Sequence, residues 1–328
     1  MLTIADLIEA LTHTRPQAPQ IISEASIDSR QVIPASLFVA LKGENSDGHF
    51  YVKEAIQRGA QAVLIENVTN PDLTVLDLRE GILPSVLPSF DSPICLLVND
   101  SLKALQTIAA FWRNKLNLRV IGITGSVGKS TTKELVAEVL SYKYRTLKNV
   151  GNFNNEIGLP LTILRLSENH QKAVLEMGFY VPGEIRLLCE IAQPVVGVIT
   201  NVGTVHAERV GSQEIIAQGK AELVEMLPEG GTAILNYDDP WVKPMAEKTK
   251  AKVLYYGLDP SAHLWADQIE GLGLQGIRFR LHYKNEQLHL RVPLIGRHSV
   301  HTALRATAVG LVEGLTWQEI IQGLQHGH

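Results

Sequence analysis

Leu118, Val120, Ile121 and Ile123 form an apolar run that ends in a glycine-rich turn, and beyond the turn Leu135, Val136, Val139 and Leu140 recur at helical spacing. Further apolar runs follow at 173–177, 195–200, 232–236 and 252–256, with helix-length segments between them. Strands alternating with helices in this way predict βαβ units and an open, mostly parallel sheet with flanking helices. The rhythm then changes. Ile277, Phe279, Leu281 and Tyr283 alternate with polar residues, Lys284-Asn285-Glu286 turns, and Leu288, Leu290, Val292 and Leu294 alternate back. This predicts a β-hairpin, a small antiparallel extension of the sheet.

Ahead of Leu118 the runs are shorter. Those at 36–41, 62–65, 74–78 and 94–98, with a helical segment at 50–59, read as a separate N-terminal mixed α/β domain. Leu2, Ile4, Leu7, Ile8 and Leu11 fall at helical spacing, without the basic start and apolar run of a signal peptide. Pro84, Pro88 and Pro93 make 82–93 a loop. Leu102, Leu105, Ile108, Ala109 and Trp112 predict a helix over 101–116, N-capped by Ser101 and joining two domains. The boundaries expected are therefore 1–98 and 99–316, with 317–328 opening a linker. There is no internal repeat or low-complexity segment.

Composition narrows the class. A chain of 328 residues that is 45% hydrophobic and 20% charged has enough apolar material for two cores. The net charge of −4 and the absence of a like-charge block argue against a nucleic-acid partner. Cys95 and Cys189 stand apart, which suggests buried thiols and neither a disulfide framework nor a zinc site. No apolar stretch reaches the roughly 18 residues of a membrane span. The expectation is a cytoplasmic, monomeric protein.

The chemistry concentrates at the carboxyl ends of the predicted parallel strands, where open sheets bind ligands. Residues 122–132 read Gly-Ile-Thr-Gly-Ser-Val-Gly-Lys-Ser-Thr-Thr, between a strand and a helix. Such a turn converges backbone N–H groups on phosphate, with Lys129 for the outer phosphates and Ser130 for Mg²⁺. The strict Gly-x4-Gly-Lys-Ser spacing is not met, because Ile123 stands where the first glycine belongs. Glu176 closes the strand at 173–177 and His206 follows the one at 195–200, so each is a candidate to hold or orient a metal ion. Lys220 falls on the apolar side of a helix over 215–227, where snorkelling along the surface is the plainer reading and a neutral, CO₂-reactive amine the sharper one. Residues 151–160, Gly-Asn-Phe-Asn-Asn-Glu-Ile-Gly-Leu-Pro, form a polar cluster whose amides suit positioning, and Asn236 to Asp239 lie at the same ligand edge.

Taken together, Thr124-Gly125-Ser126-x-Gly128-Lys129-Ser130, Glu176-Met177-Gly178, Asn201-Val202-Gly203 through His206, Gly211-Ser212 leading to Lys220, and Asn236 to Asp239 resemble the central domain of the Mur ligases. These are the ATP-dependent enzymes that build the peptidoglycan stem peptide. Residues 151–160 resemble its D-alanyl-D-alanine-adding members in particular. Asp28-Ser29-Arg30, the stretch 37–44 and Asp47-Gly48-His49-Phe50 resemble the UDP-binding domain of that type and of the diamino-acid-adding one.

The resemblance implies a central ATP-binding domain of phosphate-loop type in which Thr124, Gly125, Ser126, Val127, Gly128, Lys129, Ser130 and Thr131 cradle ATP, with Asn236 and His298 near the nucleoside. It implies Mg²⁺ held by Ser130, Glu176, His206 and Lys220 as a carbamate, and a catalytic set of Lys129, Glu176, His206 and Lys220. Ser29, Arg30, Lys42, Asp47, His49, Asn154 and Asn155 would meet UDP-N-acetylmuramoyl-tripeptide or the reacting groups. The implied reaction phosphorylates the terminal carboxylate with ATP, and the amine of D-alanyl-D-alanine then attacks the acyl phosphate.

Two features depart from the family. Gly296-Arg297-His298 continues with Ser299-Val300-His301 instead of Asn-x-x-Asn, and the chain stops at His328, where a C-terminal Rossmann-like domain should begin. On that basis this form is expected to bind nucleotides and to turn over poorly. The alternatives are a diamino-acid-adding Mur ligase, a folylpolyglutamate synthase-like ligase, or a non-catalytic nucleotide- and UDP-sugar-binding module.

Overall fold

The computed structural model describes residues 1–44, 46–203 and 212–326. The chain divides into two compact units, Met1–Asn117 with Glu156–Glu168, and Leu118–Asn155 with Asn169–His328.

The first unit is built on five parallel strands, β1 (Ala25–Ser26), β2 (Ser36–Val39), β3 (Ala60–Ile65), β4 (Val75–Asp77) and β5 (Ile94–Leu97), in the order β1-β2-β3-β5-β4. The central strands are apolar at nearly every position because both faces are covered, as parallel sheets require. Helices α1 (Ile4–Thr12), α2 (Val52–Gln57) and α3 (Ser101–Lys115) surround it, together with α5 (Gly158–Leu164). Thr3 and Asp6 form a reciprocal capping box on α1. The helical segment expected at 50–59 is shorter, since a 3₁₀ turn occupies Gly48–Tyr51. The N-cap of α3 is Asp100, whose carboxylate accepts from Lys103 N–H at 2.8 Å, and Ser101 is the first helical residue. The compact unit runs on past the boundary expected at 98, because α3 buries Leu105, Ile108 and Trp112 and the Trp112 indole donates to Leu166 O at 2.9 Å.

The second unit holds nine strands: β6 (Arg119–Thr124), β7 (Thr146–Lys148), β8 (Lys172–Glu176), β9 (Val196–Ile199), β10 (Thr232–Asn236), β11 (Lys252–Gly257), β12 (Leu264–Gly271), β13 (Ile277–Tyr283) and β14 (Glu286–Val292). Their order is β14-β13-β12-β11-β10-β9-β6-β8-β7. Pairing is parallel from β7 through β12 and antiparallel for β12–β13 and β13–β14. The antiparallel extension therefore includes β12, which the alternation at 277–294 does not reveal. Helices α4 (Lys129–Ser141), α6 (Glu184–Ala192), α7 (Gln213–Glu225), α8 (Val300–Val312) and α9 (Trp317–His326) complete the unit. Residues 317–326, expected to open a linker, are part of this core: Ile320 and Leu324 are buried with Val139 of α4 and Val309 of α8.

Strand β6 lies between β8 and β9, so the chain runs toward one edge through β8 and toward the other through β9 and β10. Crossover connections diverge at such a point and leave a crevice at the carboxyl ends of the strands.

Candidate functional site

The glycine-rich loop occupies that crevice. At Gly125, φ is +149° and an added Cβ would lie 1.8 Å from Thr200 Oγ1, so only glycine lets the loop approach the end of β9 this closely. Gly128, left-handed at φ +83°, then turns the chain directly into α4 at Lys129. Loop and β9 are laced together: Thr200 Oγ1 donates to Val127 O at 2.7 Å, Val127 N–H to Asn201 Oδ1 at 3.0 Å and Gly203 N–H to Ser126 Oγ at 2.9 Å. Thr124 Oγ1 donates to Met177 O at 3.0 Å on the β8 side. The first-turn N–H groups of α4 lack intrahelical partners, and the helix dipole favours an anion there. Lys129 folds over the loop, its Nζ donating to Gly125 O at 3.0 Å and Ser126 O at 3.4 Å. Burial lowers its pKa, with the charge of Glu176 opposing.

Glu176, at the end of β8, is 3% exposed. Its Oε2 accepts from Ser130 Oγ at 2.8 Å and its Oε1 from Asn154 Nδ2 at 2.9 Å. Asn149 holds its backbone from both sides, accepting from Glu176 N–H at 2.9 Å and donating to Glu176 O at 3.0 Å. Among the described residues this buried carboxylate accepts only from neutral donors and forms no ion pair. Its negative charge beside a serine hydroxyl matches the donors of Mg²⁺, which takes one or two carboxylates and completes its shell with phosphate and water oxygens. Among the described residues no group of three or more His, Cys, Asp or Glu side chains could hold a metal by itself. His206 lies outside the described residues.

Lys220, on α7, is 4% exposed, which rules out the snorkelling reading. Burial and then the charge of Lys129 lower its pKa from 10.5 to about 7. Its Nζ lies 5.2 Å from the centroid of the Phe179 ring. A buried amine whose pKa is lowered toward neutrality can act as a nucleophile.

Asn236 is buried with its amide engaged inside the protein, Nδ2 donating to Thr200 O at 3.0 Å and Oδ1 accepting from Asp238 N–H at 3.1 Å. It shapes the strand end, and no reach toward a nucleoside follows from its geometry. Beside it Asp238 accepts from Leu258 N–H at 2.8 Å and pairs with His301 Nε2 at 2.8 Å. Thr131 and His298 are exposed, and Asn155 is half-buried next to Asn154.

The first unit contains a cavity of about 740 Å³ whose wall includes Ser29, Arg30, Lys42, Ser46, Tyr51 and Glu54. Arg30 is held in a fork by Asp28, through Nε at 2.9 Å and Nη2 at 2.8 Å. Ser29 Oγ donates to Glu54 Oε2 at 3.1 Å. Asp47 and His49 are absent from the wall. His49 is buried, with Nε2 accepting from Glu66 N–H at 2.9 Å, so Nδ1 carries the proton and donates to Asp47 Oδ1 at 2.6 Å. Asp47 caps the 3₁₀ turn Gly48–Tyr51 by accepting from His49 N–H at 3.0 Å, and His49 ties that turn to Glu66.

Sequence patterns missed Asn149, Thr200, Tyr256 and Arg305. Arg305 alone left a trace, as the one Asp, Glu, Lys or Arg in the 13 residues of α8.

The model of the Mur ligase middle domain matches residues 123–310, and that of the Mur ligase family catalytic domain matches 21–88. The UDP-N-acetylmuramoyl-tripeptide–D-alanyl-D-alanine ligase of Synechocystis is 38% identical over 304 residues, covering 92% of this chain and 61% of the relative. The chain thus spans only that share of its relative's length. A crystal structure of MurF from Acinetobacter baumannii superposes with a TM-score of 0.83 at 31% identity, covering 99% of this chain and 68% of that one. MurF ligase from Thermotoga maritima in complex with ADP gives 0.77 at 27% identity, covering 92% and 65%.

Proposed function

The chain belongs to the Mur ligase family, and from that premise we propose that it serves an ATP-dependent ligase that adds D-alanyl-D-alanine to UDP-N-acetylmuramoyl-tripeptide. The observation that carries this reading is the crevice beside β6, where the loop, Lys129, Ser130, Glu176 and Asn154 converge. The sequence resemblance to the D-alanyl-D-alanine-adding relative supports the choice of amine.

In this reading the first-turn N–H groups of α4 and Lys129 hold the β- and γ-phosphates of ATP. Ser130, Glu176 and Lys220 as a carbamate would hold Mg²⁺, with His206 as a further ligand. When bound, the metal offsets the charge of ATP beside a carboxylate. Asn154 keeps Glu176 oriented through its 2.9 Å bond. The substrate carboxylate takes the γ-phosphoryl group, releasing ADP. A neutral amine then displaces phosphate to form the amide, giving up one proton. The cavity lined by Ser29, Arg30 and Lys42 takes the UDP moiety, with Arg30 presented as a fixed cation.

The test is titration calorimetry with ATP and with UDP-N-acetylmuramoyl-tripeptide, followed by product analysis with D-alanyl-D-alanine, meso-diaminopimelate or glutamate as amine. Binding of both ligands and amide formation with D-alanyl-D-alanine are expected. No binding of the UDP-tripeptide, or preference for another amine, would overturn the assignment.

A further inference from the structure

Arg305 is 4% exposed inside the second unit, and among the described residues no carboxylate pairs with it. Each of its nitrogens donates to a neutral hydroxyl: Nε to Thr132 Oγ1 at 2.8 Å, Nη1 to Tyr256 Oη at 3.2 Å and Nη2 to Thr302 Oγ1 at 2.9 Å. A guanidinium buried without a counter-charge is costly unless something compensates it. The guanidinium lies against the phosphate loop, since a Cβ at Gly128 would stand 3.3 Å from Nη2.

Two hydrogen-bonded paths run from Arg305 to that loop. Thr132 Oγ1 accepts from Arg305 and donates to Gly128 O at 2.6 Å. Tyr256 Oη, which also accepts from Arg305, donates to Ile199 O at 3.0 Å and to Thr200 O at 3.1 Å, and the Thr200 hydroxyl donates to Val127 O at 2.7 Å. Burial pushes the Tyr256 phenol up, despite the nearby guanidinium, so it remains an O–H donor. In a trans peptide the C=O points opposite to the following N–H. Drawing back the carbonyls of Val127 and Gly128 therefore aims the N–H groups of Gly128 and Lys129 the other way.

We propose that Arg305 is a positioning residue for the polyphosphate: it fixes the two loop carbonyls through Thr132 and Tyr256 and places an unneutralised cation behind the loop. The ligand class is a nucleoside di- or triphosphate, and the proposal rests on the nucleotide reading of the loop given above.

The experiment titrates ATP and AMP into the full chain and into Arg305→Met, Arg305→Lys, Thr132→Val and Tyr256→Phe, with thermal melts alongside. Arg305→Met is expected to weaken ATP about tenfold and AMP less than about threefold, so that the preference for polyphosphate falls. Arg305→Lys keeps the charge without the three-way fork and should be intermediate. Thr132→Val and Tyr256→Phe should each weaken ATP about threefold. A folded Arg305→Met that binds ATP like the parent, or loses ATP and AMP equally, overturns the proposal. Should that variant not fold, unchanged ATP binding by both Thr132→Val and Tyr256→Phe overturns it. If the parent binds no ATP, the nucleotide reading fails and this inference with it; if the parent binds and the variants are unaffected, only the role of Arg305 fails.

Discussion

Ser130 Oγ donates to Glu176 Oε2 at 2.8 Å, joining the first turn of α4 to the end of β8 across the crevice. The bond places a hydroxyl and a buried carboxylate, the two oxygen types a magnesium–phosphate complex needs, in one position. Glu176→Gln keeps the shape and the Asn154 contact but removes the charge. It should leave the melting temperature within a few degrees and abolish the Mg²⁺ dependence of ATP binding, measured by calorimetry with and without the metal. Unchanged metal dependence would remove Glu176 from the site.

Gly125→Ala cannot be accommodated without moving the loop or β9, given its φ of +149° and the 1.8 Å approach to Thr200 Oγ1. ATP affinity should fall at least about tenfold, with a stability loss of about 1–3 kcal/mol from the strained backbone. Denaturant melts and ATP titrations read the two effects separately.

Lys220 should make stability depend on pH in an unusual direction. Its pKa is lowered from 10.5 to about 7 in the folded state, so between those values the unfolded chain binds more protons and stability rises with pH. The parent should gain roughly 2 kcal/mol over Lys220→Met between pH 7 and 9. In ¹³C-bicarbonate the parent, unlike the variant, should show a carbamate resonance; its absence at pH 8 would count against the carbamate.

Glu313 supports the sheet at the end of β6 and β8 away from the crevice. Its buried carboxylate accepts from Arg119 Nη2 at 2.8 Å and pairs with Lys172. Burial alone would raise its pKa, but Arg119 and Lys172 outweigh that and hold it below the usual 4.5. The stability it contributes is thus present above about pH 4.5 and is lost as pH falls through the lower folded value. Glu313→Ala leaves Lys172 buried beside Tyr144 without its counter-charge and should cost about 3–5 kcal/mol in urea melts at pH 7.

Arg30→Ala should separate the two units functionally. It removes the forked cation from the cavity wall of the first unit, so UDP affinity should drop severalfold while ATP affinity stays unchanged. A parallel fall in ATP binding would show that Arg30 acts on more than the cavity of the first unit.

Residues 118–140 were readable as strand, loop and helix because an apolar run, a glycine turn and a 3.6-residue period are local properties. The same holds for the places of Lys129 and Ser130 at the start of α4 and of Glu176 at a strand end. The hairpin around Lys284 was legible too, its strands pairing from Tyr283↔Glu286 to Ile277↔Val292. Strands β1, β7 and β12 lie below what local pattern shows, the first two because they are two and three residues long, the last because Asp267, Gln268 and Glu270 break up the apolar start Leu264-Trp265-Ala266. Their strand character comes from the neighbours that pair with them.

Long-range placement was beyond local pattern. Whether Lys220 snorkels or is entombed depends on what packs over α7, and whether His49 faces a cavity or ties its turn to Glu66 depends on the N–H that meets its Nε2. Asn149 and Arg305 matter through partners 27 and 173 residues away, Glu176 and Thr132. Periodicity reports on the face a residue shares with its own element. Burial, protonation state and hydrogen-bond partners are set by elements distant in the chain, so only the folded structure decides them.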